Sequence, residues 1–416
     1  MSHYALSFWV WEKTGTATSM VLMSFLRAIP AIVLMPIAGS IVDRFNRKTV
    51  VMLADTGAAV MTSLIMVLLL TKNMSIAFVY VAAFFEAIFN TFHWLANDSM
   101  KIQIVPASQL GRISGLRMFS GSFSGIIAPL LAAGLVATIG YAGVFAIDLV
   151  TFAAAIISIS FVKVPTLPKD ESRPNNVFVD ALIGFRYFMA NKTLLWMTII
   201  NIFAGVTFQF GALIVTPMIL ARTSGNTMAV GIADAWMGVA GLIGSLILMF
   251  WGGPKKRYLA SLYFYLGLSV GLMMIGIGRN IVAWSIGGFV WLIFGSLTMI
   301  SDAFFSSKIP AAMQGRVFGA MILGSELLAP LSFGFAGILA DKVFEPMMAN
   351  PEIASRFAWL VGTGKGSGMG LMIVIAGLSS LIFTSLAFVN SHVRNADTLL
   401  PDVNNDLVPE IENAQS

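Results

Sequence analysis

The chain alternates between long apolar runs and short polar breaks. Ser19–Ile41, Thr49–Leu70 and Ser75–Ala96 form one group of runs. Gly111–Ile139 and Tyr141–Val162 follow after a break holding Asp98, Lys101 and Pro106. A second block reads Thr193–Leu220, Met228–Trp251, Tyr258–Ile277, Ile281–Phe305, Val317–Ala340 and Met369–Asn390. Each run reaches roughly 20 residues, the length at which a helix crosses a bilayer core. The pattern predicts an all-α polytopic membrane protein with eleven full transmembrane helices. Tyr4–Trp11 is apolar but too short to span, and Glu12–Thr18 is a polar turn.

The breaks divide the chain. Lys163–Asn176 is polar and holds Pro165, Pro168 and Pro174, which marks it as a linker. Val177–Met189 is amphipathic and is expected to lie along the membrane surface. The units expected are an N-terminal bundle over 1–162, a linker over 163–192, a C-terminal bundle over 193–390 and a disordered tail over 391–416. The two bundles echo each other. Pro106–Arg112 and Pro310–Arg316 both read Pro-Ala-x-x-x-Gly-Arg, and Ala128-Pro129 has a counterpart in Ala329-Pro330. Internal repetition of bundles is the build of a secondary transporter.

Composition sharpens this. The chain is 57% hydrophobic and 11% charged, which excludes an ordinary soluble enzyme. It has no cysteine, hence no disulfide and no thiolate chemistry. The formal charge of +5 is spread over loop anchors rather than an aromatic-interleaved patch, so nucleic acid is not an expected partner. Most Lys and Arg residues fall on one side once Gly39–Lys48 is placed in the cytoplasm, which puts the linker and C-terminus there too. The expected location is a bacterial cytoplasmic membrane, with the bilayer and a small-molecule substrate as partners and a monomer as the working unit.

Gly39-Ser40-Ile41-Val42-Asp43-Arg44-Phe45-Asn46-Arg47-Lys48 is a densely charged turn between two spanning runs. Gly39, Asp43, Arg44, Arg47 and Lys48 resemble the loop between helices two and three of the major facilitator superfamily. Asn46 stands where that family usually has Gly, and is expected to hold a left-handed turn. Trp11–Gly15, Ile104-Val105-Pro106 before Gly111-Arg112, and Gln314–Phe318 resemble the macrolide-efflux and enterobactin-exporter branch. The resemblance runs to about Asn390. It implies two pseudo-symmetric six-helix bundles, alternating access and proton-coupled export of an amphipathic small molecule. It also implies gating by the Asp43 turn against the helix start near Gln314–Val317, with Arg112 and Arg316 at the matching repeat positions. Six helices per bundle would place the start of this chain inside its first helix, leaving that helix truncated. A lysophospholipid transporter and a non-transporting sensor are the rival readings.

Three further features bear on chemistry. Gly115, Ser124, Ala128 and Pro129 resemble the antiporter motif of the same superfamily, with small residues replacing several glycines. Ionisable residues inside spanning runs mark pathways or buried pairs. Arg27, Glu86, Asp148 and Glu326 are the proton-coupling or substrate candidates, with Arg27 and Asp148 expected as a pair. Asp55, Arg117, Asp234 and Asp302 lie nearer helix ends and are expected to reach the interface. His93 has no companions at metal-ligand spacing, so no metal site is expected. Gly362–Gly368 carries Lys365 but lacks the P-loop spacing and reads as a flexible turn. No nucleotide, cofactor or enzymatic activity is implied.

Overall fold

The computed structural model describes residues 1–104, 110–162, 191–309 and 332–400, with Arg186, Val317 and Met321. Nine described helices are long and apolar enough to cross a membrane. The first half contains α1 (Ser2–Thr14), α2 (Ala17–Arg44), α3 (Arg47–Leu70), α4 (Ile76–Ile104) and α5 (Leu110–Ser160). α5 is broken at Gly140, where φ is 73° and ψ is 178°. A left-handed-side φ of this kind suits glycine, and it folds one long helix into two passes. The second half contains α6 (Lys192–Arg222), α7 (Thr227–Trp251), α8 (Arg257–Ile277), α9 (Ile281–Leu297) and α10 (Ile300–Lys308). Residues 332–339 are helical and run into a π-helical turn, Ala340–Phe344. Then come α11 (Glu345–Ala349), α12 (Pro351–Val361), α13 (Ser367–Ala387), α14 (Ser391–Arg394) and α15 (Ala396–Leu399).

The packing follows the two halves. α2, α3 and α4 pack together, with α1 and α3 both against α5. α7, α8 and α9 pack together, and α13 lies against α6 and α8. Across the halves, α5 packs on α7 and α2 on α6. Asparagine starts several of the helices. The side-chain oxygens of Asn46, Asn191, Asn226, Asn280, Asn350 and Asn390 each accept from an N–H in the first turn that follows. Such caps satisfy donors that helix geometry leaves without partners.

Several local expectations change. The Gly39–Lys48 turn is mostly helix: only Phe45 and Asn46 separate α2 from α3. Asn46 is extended, with φ −65° and ψ 117°, and acts as the cap of α3 rather than as a left-handed residue. α4 continues through Asp98 and Lys101 to Ile104. The chain after 390 does not become a free tail at once. Val393 and Ala396 are buried, and the Asp397 carboxylate accepts from Tyr258 N (3.1 Å) and Leu259 N (3.1 Å), closing the start of α8. The Gly362–Gly368 turn is also held. Arg222 donates to Gly366 O (3.1 Å) and Val361 O (3.1 Å). Glu345 accepts from Gly366 N (3.0 Å) and Met369 N (2.9 Å), which caps α13. The linker stretches Lys163–Asn176 and Val177–Met189, Arg186 apart, and the chain after Leu400 lie outside the described residues.

Candidate functional site

Two glycines on α7 set the seam between the halves. A Cβ at Gly231 would lie 3.0 Å from Pro129 O and 2.9 Å from Ala133 Cβ. A Cβ at Gly238 would lie 3.0 Å from Gly125 O. The residues are two helical turns apart on one face, so α5 and α7 touch backbone to backbone along that face. Small residues permit this approach in a membrane. Pro129 is buried in helical backbone against this seam. The Gly125–Ala133 stretch therefore packs the two halves together in this structure.

Toward the end of the molecule that carries Phe45 and Asn46, called the basic end, the seam opens. A cavity of about 550 Å³ begins there. Tyr4 of α1 and Gly125 of α5 line it from one half, and Thr216, Asp234, Gly238 and Trp291 from the other. At the opposite end the halves are held again. Asp341 accepts from Ala17 N (3.1 Å), Thr18 N (2.7 Å) and Thr18 Oγ1 (2.6 Å), so a residue of the second half caps α2 of the first. A Cβ at Gly337 would lie 2.6 Å from Thr18 Cα, so only glycine fits there.

Arg27 meets Glu86, not Asp148. Arg27 Nη1 lies 3.2 Å from Glu86 Oε2 across α2 and α4, with both side chains mostly shielded. Asp148 instead accepts from Ser2 N (2.8 Å) and Ser2 Oγ. The sequence placed Arg27 and Asp148 at a similar depth, but depth does not say which face of a helix points to which neighbour. Asp55 does not reach an interface. It is 5% exposed, and its Oδ1 lies 2.6 Å from His93 Nδ1. Lys48 donates to Ser160 O (2.6 Å) and Val162 O (2.9 Å), tying the turn to the end of α5 within its own half. Asp234 was expected near an interface, and it faces the cavity instead. Arg316 and Glu326 lie outside the described residues, as do the side chains of Asp43, Arg44 and Arg112 and the surroundings of Gly39 and Gly115. No group of three His, Cys, Asp or Glu able to hold a metal occurs among the described residues.

The sequence profile of the Major Facilitator Superfamily matches residues 3–332. The chain belongs to the major facilitator superfamily. This facilitator is 25% identical over 352 residues to macrolide efflux protein A of Streptococcus pyogenes, covering 82% of this chain and 85% of the relative. It is 26% identical over 306 residues to macrolide efflux protein A of Enterococcus faecalis, covering 72% and 92%. The multidrug efflux pump Tap of Mycobacterium bovis is 22% identical over 352 residues, covering 82% and 83%. Among solved structures, a mutant of the nucleoside transporter NupG superposes with a TM-score of 0.67 at 14% identity, covering 92% of this chain and 97% of that one. That likeness is one of fold. The facilitator is thus a multi-pass bacterial-type membrane transporter and not an enzyme, homologous to macrolide and multidrug efflux pumps.

Signals for the cavity residues were present but weak in the sequence. Asp234 is the one ionisable residue in Thr227–Trp251. Tyr4 and Trp291 look like ordinary membrane aromatics until the fold brings them to one wall.

Proposed function

We propose that this facilitator is a secondary active exporter of an amphipathic small molecule, driven by exchange for protons. The observation that carries the reading is the cavity between the two halves, shut at one end by the α5–α7 seam and the Asp341 contacts. Rocking the halves about a mid-membrane site is the general scheme of such folds. The relatives named as efflux pumps support export as the direction. The basic end is placed in the cytoplasm, with the C-terminus on that side, because Lys and Arg concentrate there. A substrate would then enter from the cytoplasm. The Asp43–Lys48 turn with Arg112 and Arg316 is assigned to closure of the basic end.

Glu86 is the proposed proton carrier, with Arg27 as its charge partner, and Glu326 is the second candidate. A carboxylate against a guanidinium can exchange its proton as the arginine moves toward or away from it. The protein works as a monomer and needs no nucleotide. Everted vesicles loaded by an imposed proton gradient should accumulate ethidium, and an uncoupler should abolish this. Glu86→Gln should retain ethidium binding and lose uphill accumulation. Accumulation that is indifferent to the uncoupler, or equal in vesicles without the protein, would overturn the export reading.

A further inference from the structure

We infer that Asp234 is the recognition point for one positive charge, and that the transported molecule is a lipophilic monovalent organic cation bearing a hydrogen-bond acceptor. The inference rests on the export reading above and narrows its substrate class.

Asp234 is unlike the other shielded carboxylates of the fold. Glu86 has Arg27, Asp55 has His93, Asp148 has Ser2, and Asp341 has Thr18. Glu345 and Asp397 each accept two backbone N–H groups. Asp234 has no hydrogen bond or ion pair among the described residues, and it is the residue of this set that lines the cavity. Asp234 is half-buried within a membrane-spanning helix, where a lone carboxylate is costly without a counter-charge or donors. No lysine or arginine is among the described lining residues, and His3, the one histidine among them, makes no hydrogen bond or ion pair with Asp234. The missing charge is then supplied by the occupant.

A second observation points the same way. Trp291, on the cavity wall, is 3% exposed, and its indole Nε1 is buried without an acceptor. Phe208 holds the indole in place, with ring centroids 4.6 Å apart. A buried N–H without a partner is costly, and an acceptor oxygen on the occupant would satisfy it. The rings of Tyr4 and Trp291 suit a cation's charge and apolar body together. A single carboxylate is a poor cage for a metal ion, which needs several ligands. A cavity of about 550 Å³ suits a drug-sized organic molecule.

The test uses the purified full chain and two probes of equal size and opposite charge. Tetraphenylphosphonium should bind and tetraphenylborate should not. Asp234→Asn should weaken tetraphenylphosphonium binding about tenfold or more, the size expected for losing a charged partner, and Asp234→Glu should restore most of it. Trp291→Phe should leave tetraphenylphosphonium unchanged, since that ion has no acceptor. It should weaken verapamil, an amine cation with ether oxygens. Equal binding of the two ions, or unchanged affinity in Asp234→Asn, overturns the inference. Should Asp234→Asn not fold, the charge comparison in the unaltered protein and the Asp234→Glu affinity decide. Proteoliposomes separate this from the export reading. Proton-driven accumulation of neutral chloramphenicol without tetraphenylphosphonium binding would leave export standing and remove the cation. Asp234-dependent binding with accumulation of neither would do the reverse.

Discussion

The carboxylate of Asp341 accepts both the backbone N–H and the hydroxyl of Thr18, at 2.7 and 2.6 Å. The two residues belong to opposite halves of the transporter. Together they fasten the end away from the basic turn. An acid at a helix start faces unsatisfied N–H groups and the positive end of the helix dipole. Opening that end must break these bonds.

Asp341→Ala should therefore favour conformations open at the Thr18 end. Hydrogen bonds to a charged group contribute about 1.5–3 kcal/mol each, enough to shift a two-state equilibrium by tenfold or more. Gly337→Val should act in the same direction, because a Cβ there would press on Thr18 Cα. The chain has no cysteine, so a single cysteine at Ser19 reports directly. Its labelling rate should rise in both variants. An unchanged rate in both would remove Asp341 as a latch.

Arg27 and Glu86 should be coupled in stability as well as transport. Removing one partner strands a shielded charge, at a cost of about 3–5 kcal/mol. Arg27→Met should lower the melting temperature markedly. Arg27→Met with Glu86→Gln should recover much of the loss, because no lone charge is left. Additive losses in the double variant would show that the pair is not an energetic unit.

The proposed orientation can be read by thiol labelling in intact cells. Cysteines at Lys72 and Ser224 lie in turns at the end opposite the basic one and should react with an impermeant reagent. Cysteines at Asn46 and Lys255 should resist it. The reversed pattern would place the basic end outside.

Asp397 closes the start of α8 from more than a hundred residues away. Losing a cap of this kind costs about 1 kcal/mol. Asp397→Ala should lower thermal stability by a few degrees and leave substrate affinity unchanged. Truncation after Asn395 should do at least as much, since Leu400 O also accepts from Lys308 Nζ (2.5 Å).

The run lengths, the internal repeat and the charged turn at Asp43–Lys48 carried the fold class and family without any coordinates. The reason is physical. A bilayer demands roughly 20 apolar residues per crossing and confines charge to the ends, so one dimension of the structure is written directly along the chain. Asn46 was legible as a turn residue, though not as the cap it turned out to be, because capping depends on which N–H groups the next turn presents.

Depth along the membrane normal was readable; direction around each helix was not. Arg27 reaches Glu86 and not Asp148 because rotation about the helix axis, set by packing against neighbours, decides which groups meet. Asp55 finds His93 for the same reason. Asp234 has no local feature that separates it from a snorkelling acid near a helix end. Only the approach of α7 to α5 through Gly231 and Gly238 turns it into the wall of a cavity. The Asp341–Thr18 contact joins residues 323 apart in the chain, and no local pattern announces a partner at that distance. Position across the membrane is governed by a solvent that every residue meets alone. Position within it is governed by contacts that exist only once both halves have folded.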